Sequence, residues 1–189
     1  ASLTNTLRIV GELRKQTDIP LLLMGYINPV LAFGVEKFCV EAERAGVDGL
    51  IIPDLPVDEA HDLESHALKS SLSMTFLASP TTTSTRLKLI DRHSTDFVYA
   101  VTVAGVTGVR KLFDAETDTY LRDLRRRLKK PFVAGFGVSS PESAALLAGR
   151  SDGVVIGSAL VEIIRREPSQ DKQVAAVAEF LKTIHKAIV

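Results

Sequence analysis

At 189 residues and 46% hydrophobic content, the chain can bury one substantial core and reads as a single domain spanning 1–189. Its 23 basic and 23 acidic side chains balance, which excludes a global field for nucleic acid or an anionic membrane. The single cysteine, Cys39, excludes an internal disulfide and fits a reducing cytoplasm, and no apolar run approaches ~18 residues, so neither export nor a membrane span is expected.

Helical and strand patterns alternate in chain order. Leu7, Val10 and Leu13 predict a first helix, capped by Ser2, Thr4 or Asn5, ahead of a buried strand over 21–24. Val35, Phe38, Ala42 and Ala45 predict a second helix, followed by a strand over 50–52. Leu63 and Leu68 mark a third helix before a strand over 73–77. Leu87 and Ile90 mark a fourth, before 97–101. The basic stretch 122–130 places Leu121, Leu124 and Leu128 at helical spacing, so it reads as a solvated helix face rather than a nucleic-acid patch, and it leads to a strand over 131–134. A further helix over 142–147, a strand over 153–156 and two closing helices, 159–166 and 172–188, complete the chain.

These strands are continuous apolar runs, as expected where both faces of a parallel sheet are covered. Asp48, Asp96 and Asp152, 48 and 56 residues apart, each precede a strand. That is the stability end of an α/β barrel, so they read as caps and turns. The chain therefore fits the TIM-type (β/α)8 barrel class, but only about six βα units are visible, against eight strands and ~250 residues for a full barrel.

Glycine turns dominate the second half: Gly105-Val106-Thr107-Gly108, Gly135-Phe136-Gly137 and Gly157-Ser158 follow apolar runs. Glycine lets backbone N–H groups approach an anion, and a helix start adds a favourable dipole, so together the turns point to a phosphate monoester. Asp54, between Pro53 and Pro56, is the only carboxylate at the C-terminal end of a strand. From the residues alone it fits either catalysis or a partner-facing turn. Tyr26 and Tyr99 fit a pocket mouth or barrel filling. The four histidines are dispersed and no HExxH or paired-cysteine spacing occurs, so no metal is expected.

The segments Leu21-Leu22-Leu23-Met24-Gly25-Tyr26-Ile27-Asn28-Pro29, Gly46-Val47-Asp48-Gly49-Leu50-Ile51-Ile52-Pro53-Asp54-Leu55-Pro56, Gly105 to Gly108, Gly135 to Glu142 and Gly157-Ser158-Ala159 stand in order. In that order the chain, from about Leu7 onward, resembles the tryptophan synthase alpha subunit family. The resemblance implies a lyase that cleaves indole-3-glycerol phosphate to indole and glyceraldehyde 3-phosphate. It implies phosphate binding by Gly108, Gly137, Gly157 and Ser158, and a substrate pocket lined by Tyr26, Tyr99, Thr107 and Phe136. It places Asn28, Pro29, Asp54 and Pro56 on the face toward a beta subunit, which carries the pyridoxal phosphate; no cofactor is expected in this chain. Residues 105–113 match the family's mobile loop.

The family's general acid/base Glu and its indole-binding Asp fall upstream of residue 1, as do its first two βα units. The resemblance therefore implies no catalytic residue within 1–189 and impaired turnover, since positioned proton transfer is worth roughly 10²–10⁴-fold. Two other functions fit the residues. One is a non-catalytic phosphate-binding or assembly fragment that self-associates through open edges at 21–24 and 153–156. The other is a different sugar-phosphate barrel, such as a phosphoribosyl isomerase.

Overall fold

The computed structural model describes residues 2–101, 115–135 and 137–189. In chain order the elements are α1 (Leu3–Arg14), β1 (Leu22–Met24), α2 (Ile27–Phe33), α3 (Val35–Ala45), β2 (Gly49–Ile51), a 3-10 turn (Val57–Glu59), α4 (His61–Lys69), β3 (Ser73–Thr75), β4 (Leu77–Ala78) and α5 (Ser84–His93). There follow β5 (Val98–Val101), α6 (Ala115–Arg127), β6 (Phe132–Gly135), α7 (Pro141–Ala148), β7 (Gly153–Val155), α8 (Ser158–Arg166) and α9 (Gln170–Ile188). The described residues form two compact units, 2–77 with 84–98, and 78–83 with 99–101, 115–135 and 137–189.

In the first unit, β1, β2 and β3 pair in parallel in that order, Leu22 against Gly49 and Gly49 against Ser73. Every residue of β2 and β3 is buried; β2 is the apolar-rich run Gly49-Leu50-Ile51, whereas β3 is Ser73-Met74-Thr75, so its burial does not show as apolarity. Phe38, Cys39 and Ala42 of α3 and Leu63 and Ala67 of α4 supply the helical side of this core. Cys39 is fully buried, and burial, with Asp62's charge adding to it, pushes its thiol pKa up to about 11, so it is inert packing. In the second unit β6 and β7 pair in parallel, Gly135 opposite Val155, within a sheet of order β4-β5-β6-β7. Leu121 and Leu124 of α6 and Leu147 of α7 are buried in it, whereas the α6 arginines face solvent.

Several sequence expectations are corrected. The single strand expected over 73–77 is two strands in different sheets. At Phe76, between them, the backbone N–H donates to the Ser94 hydroxyl at 3.2 Å instead of to a strand partner, which interrupts the ladder. Seven short strands replace the six expected among the described residues, in two sheets. Asn28 and Pro29 lie in the first turn of α2, where a proline needs no N–H partner. Leu68 lies outside the core at 81% exposure, and Ala67 takes the inward position on α4. Among the candidate caps of α1, Ser2 is the one used, its hydroxyl accepting the Asn5 N–H.

The aspartates ahead of strands act as latches, with one substitution of role. Asp48 donates its N–H to Leu21 O at 2.9 Å, and its carboxylate accepts the Leu21 N–H at 2.7 Å and the guanidinium of Arg14. Asp152 repeats this on Phe132, donating at 2.9 Å and accepting at 2.8 Å, with Arg125 on the carboxylate. At the third place Thr95, not Asp96, does the work. Its N–H donates to Met74 O at 2.7 Å and its hydroxyl accepts the Met74 N–H at 2.9 Å. Each latch fixes the start of one strand to the turn preceding its neighbour. The helix–strand–helix–strand series α1-β1-α3-β2 and α6-β6-α7-β7 thus carry the same Arg–Asp–N–H arrangement.

Candidate active site

The C-terminal ends of β6 and β7 are level, because Gly135 pairs with Val155, and in sequence a glycine, Gly137 or Gly157, stands two positions after the end of each strand. The two turns are not equivalent. Gly137 has a φ of +71°, a left-handed conformation that an L side chain adopts at a cost of ~1–2 kcal/mol. It turns the chain into α7, whose first turn is closed by its own side chains. The Ser140 hydroxyl accepts the Ser143 N–H at 3.3 Å, and the Ser143 hydroxyl accepts the Ser140 and Ser139 N–H groups at 3.1 and 3.2 Å. Pro141 at the first helical position adds to the stop.

The start of α8 is open by contrast. Gly157 is its N-cap, no side-chain cap is made among the described residues, and Ser158 is the first helical residue. Gly157 and Ser158 are both exposed, so the N–H groups of the first turn and the positive end of the dipole face outward. An uncapped, exposed helix N-terminus beside a left-handed glycine can bind an anion through main-chain donors.

Tyr99, on β5, lies against these strand ends and is 9% exposed. A β-carbon built on Gly135 would stand 2.3 Å from its hydroxyl oxygen, so the phenol occupies the space that a side chain would need. Burial pushes the Tyr99 pKa up, and the phenol stays neutral and able to donate a hydrogen bond. Sequence reasoning had placed Gly135 in a turn and missed this contact; only the short approach between neighbouring strands reveals it.

Tyr26 belongs to the first unit and is 69% exposed, which removes barrel filling as its role. Asp54 is also exposed, and its carboxylate accepts the Ile27 N–H at 2.9 Å, serving as the side-chain cap that Tyr26 does not give α2. Asn28 and Pro29 sit in that first turn, and Pro56 precedes the 3-10 turn, so Asp54 ties three of the four residues expected at a partner face to one backbone junction. Thr107, Gly108 and Phe136, with the 105–113 segment, lie outside the described residues. No group of three or more His, Cys, Asp or Glu able to hold a metal occurs among the described residues. No helix among them is long and apolar enough to cross a membrane.

The Gly137 turn yields a prediction. Gly137→Ala should cost roughly 1 kcal/mol or more in denaturant unfolding through backbone strain. Gly157→Ala, where a β-carbon meets nothing within 4 Å, should unfold almost as the parent does.

Short parallel strands covered by helices, with glycine turns leading from strand ends to helix starts, define a chain of the (β/α)-barrel class. Comparison with known proteins narrows the class. The chain matches the tryptophan synthase alpha chain family over residues 1–189 and belongs to it. It is 36% identical to the tryptophan synthase alpha chain of Dehalococcoides mccartyi over 182 residues, which is 96% of this chain and 70% of that one. Its fold resembles the alpha chain of Legionella pneumophila subsp. pneumophila with a TM-score of 0.88 at 33% identity, covering all of this chain and 70% of that one. It also resembles a chain of the tryptophan synthase a2b2 complex of Pyrococcus furiosus, with a TM-score of 0.86 at 36% identity, covering 100% and 74% of the two chains. The match is to a carbon–carbon lyase family, and the phosphoribosyl isomerase alternative gains no support from it.

Proposed function

We propose that the chain acts on indole-3-glycerol phosphate as a tryptophan synthase alpha subunit and that the second unit holds the phosphate. The observation that carries this reading is the open start of α8 at Gly157 and Ser158, level with the left-handed Gly137. Main-chain N–H groups and the helix dipole supply the binding, worth ~0.3–1 kcal/mol from the dipole alone. Tyr99, neutral and buried beside Gly135, is positioned to contact the glycerol or indole part. By resemblance to the family, Tyr26, Thr107 and Phe136 are substrate-contacting residues in this reading and Gly108 is a phosphate-binding one. The chain itself needs no cofactor for this role.

Calorimetric titration with indole-3-glycerol phosphate tests it. Saturable binding, displaced by glyceraldehyde 3-phosphate and weakened at least ~10-fold by Ser158→Asp, is expected, because a carboxylate there repels the phosphate. Binding that survives Ser158→Asp unchanged would remove the site from the glycine turns.

For the partner we propose a beta subunit, docked on the face built from Asn28, Pro29, Asp54 and Pro56. The Pyrococcus furiosus neighbour is an a2b2 complex, and in this chain Asp54 holds the first turn of α2 in place. Asp54→Ala should weaken beta-subunit binding by about 0.5–2 kcal/mol, the usual worth of a helix cap. Asp54→Asn, whose amide oxygen still accepts the Ile27 N–H, should restore most of it in the same surface-binding assay. Equal loss in both variants would mean that the charge, not the cap, faces the partner.

A further inference from the structure

At the opposite end of β7 from Gly157, the second unit carries a cavity of about 510 Å³. Its lining is Thr119, Arg122, Arg125 and Arg126 of α6 with Gly149 and Arg150 of the following turn, four guanidinium groups and no acidic side chain. Three aspartates stand behind this lining and hold the guanidiniums from one side. Asp118 receives Nε of Arg122 and Nε of Arg150, both at 2.7 Å. Asp152 receives Nη1 of Arg125 at 2.8 Å, and Asp123 receives Nη2 of Arg126 at 3.1 Å. The Arg150 hydrogen bond, with Arg122 adding to it, holds the Asp118 carboxyl below its ordinary pKa, so the grip persists into mild acid.

The consequence is a set of cations fixed in orientation with donors left over. Arg122 is held through Nε alone, and its two Nη groups make no hydrogen bond among the described residues. Arg126 uses only Nη2. Arg125 is steadied further by lying 4.8 Å over the Phe132 ring. A planar guanidinium with a free edge matches a phosphate oxygen pair, and a pre-oriented one loses less entropy on binding. Four arginines against three aspartates leave the cluster one positive charge, with the open edges on Arg122 and Arg126. A single phosphate would fill only a small part of the 510 Å³ cavity, so its size suits an anion with more than one phosphate group. The chain has no net charge, so this attraction is a local property of the cavity.

We propose that this cavity is a binding site for a small polyanion with two or more linked phosphate groups, with Arg122 and Arg126 as the donating residues. The site is separate from the glycine turns, and its test does not depend on them. Sodium tripolyphosphate, titrated calorimetrically into the whole chain at low ionic strength, should show a saturable site that weakens as salt is raised. Arg122→Gln/Arg126→Gln replaces two exposed side chains, and its unchanged thermal midpoint would show that it folds. That variant should bind at least ~10-fold more weakly, since it removes both open guanidinium edges. The same titrations are run in the Ser158→Asp background, where the anion site at the glycine turns is disabled. The saturable tripolyphosphate site should persist there and should weaken at least ~10-fold when Arg122→Gln/Arg126→Gln is added. The proposal is overturned by no saturable binding in Ser158→Asp, by equal binding with and without the double substitution in that background, or by inorganic phosphate binding there as tightly as tripolyphosphate.

Discussion

Gly135→Ala should destabilise the second unit by roughly 1–3 kcal/mol, the cost of forcing atoms into a filled site, or about 2–4 °C of thermal midpoint per kcal/mol. The added β-carbon would meet the Tyr99 hydroxyl oxygen at 2.3 Å, its ring carbon at 2.8 Å and Val155 Cβ at 2.9 Å. None of these can move cheaply. Tyr99 is buried, and Val155 is held in register directly opposite Gly135. Tyr99→Phe deletes the closest contact and leaves the 2.8 Å one, so the double variant should recover part of the loss but not all. Strict additivity of the two substitutions in a thermal-melt cycle would show that they do not share this contact. Because Gly137 lies two residues on, the same strain should reach the phosphate turn, and Gly135→Ala should also weaken glycerol phosphate binding.

The second large effect is expected at the strand latches, and the structure ranks them. Asp152→Ala leaves the N–H of Phe132, a residue fully buried, without its acceptor, at about 1–3 kcal/mol. The Arg125 ion pair adds little, because both side chains are more than a third exposed, where such pairs are worth ~0–1 kcal/mol. Asp48→Ala should cost less. The Leu21 N–H is exposed, and Arg14 keeps the Gly46, Thr17 and Ile19 carbonyls as acceptors. Burial acts to raise the Asp152 pKa, but the Arg125 and Phe132 hydrogen bonds and the Arg125 charge outweigh it and hold the value below the ordinary one. A depressed carboxylate contributes fully above its unfolded pKa of about 3.9 and loses that contribution as pH falls through the folded value. Asp152→Asn, which keeps an acceptor but no charge, should therefore be less stable than the parent near neutrality and converge on it below about pH 4. A gap that widens on acidification would contradict the sign.

Much of the fold was legible because parallel strands buried on both faces are largely apolar, so 50–52 and 131–134 stood out from amphipathic helices; the run at 21–24 also marked a strand, although not the buried one expected, since Leu22 and Leu23 are half-buried and Met24 is exposed. What the sequence hid were places where a side chain replaces a backbone partner. Ser94 breaks the strand at Phe76, Thr95 takes the latch role that Asp96 seemed fitted for, and Asp54 caps a helix 27 residues before it. None has a local signature, since each depends on which loop lies across the strand end. The glycine turns were visible as a motif, but not the difference between the closed α7 start, capped by Ser140 and Ser143, and the open α8 start. The basic run was rightly read as a solvated face. That its arginines surround a cavity required Arg150, from the turn after α7, which no spacing within α6 could reveal.

The proposed action on indole-3-glycerol phosphate depends on bare amides at two adjacent strand ends gripping the charged end of a triose-like ligand. Chemical-shift mapping of the ¹⁵N-labelled chain during addition of glycerol 3-phosphate tests that most directly. The account predicts the largest, saturable shifts at Gly137 to Ser139 and at Gly157 to Ala159, with Tyr99 following. Shifts centred on the first unit or on the α6 arginines, with those amides unmoved, would contradict it.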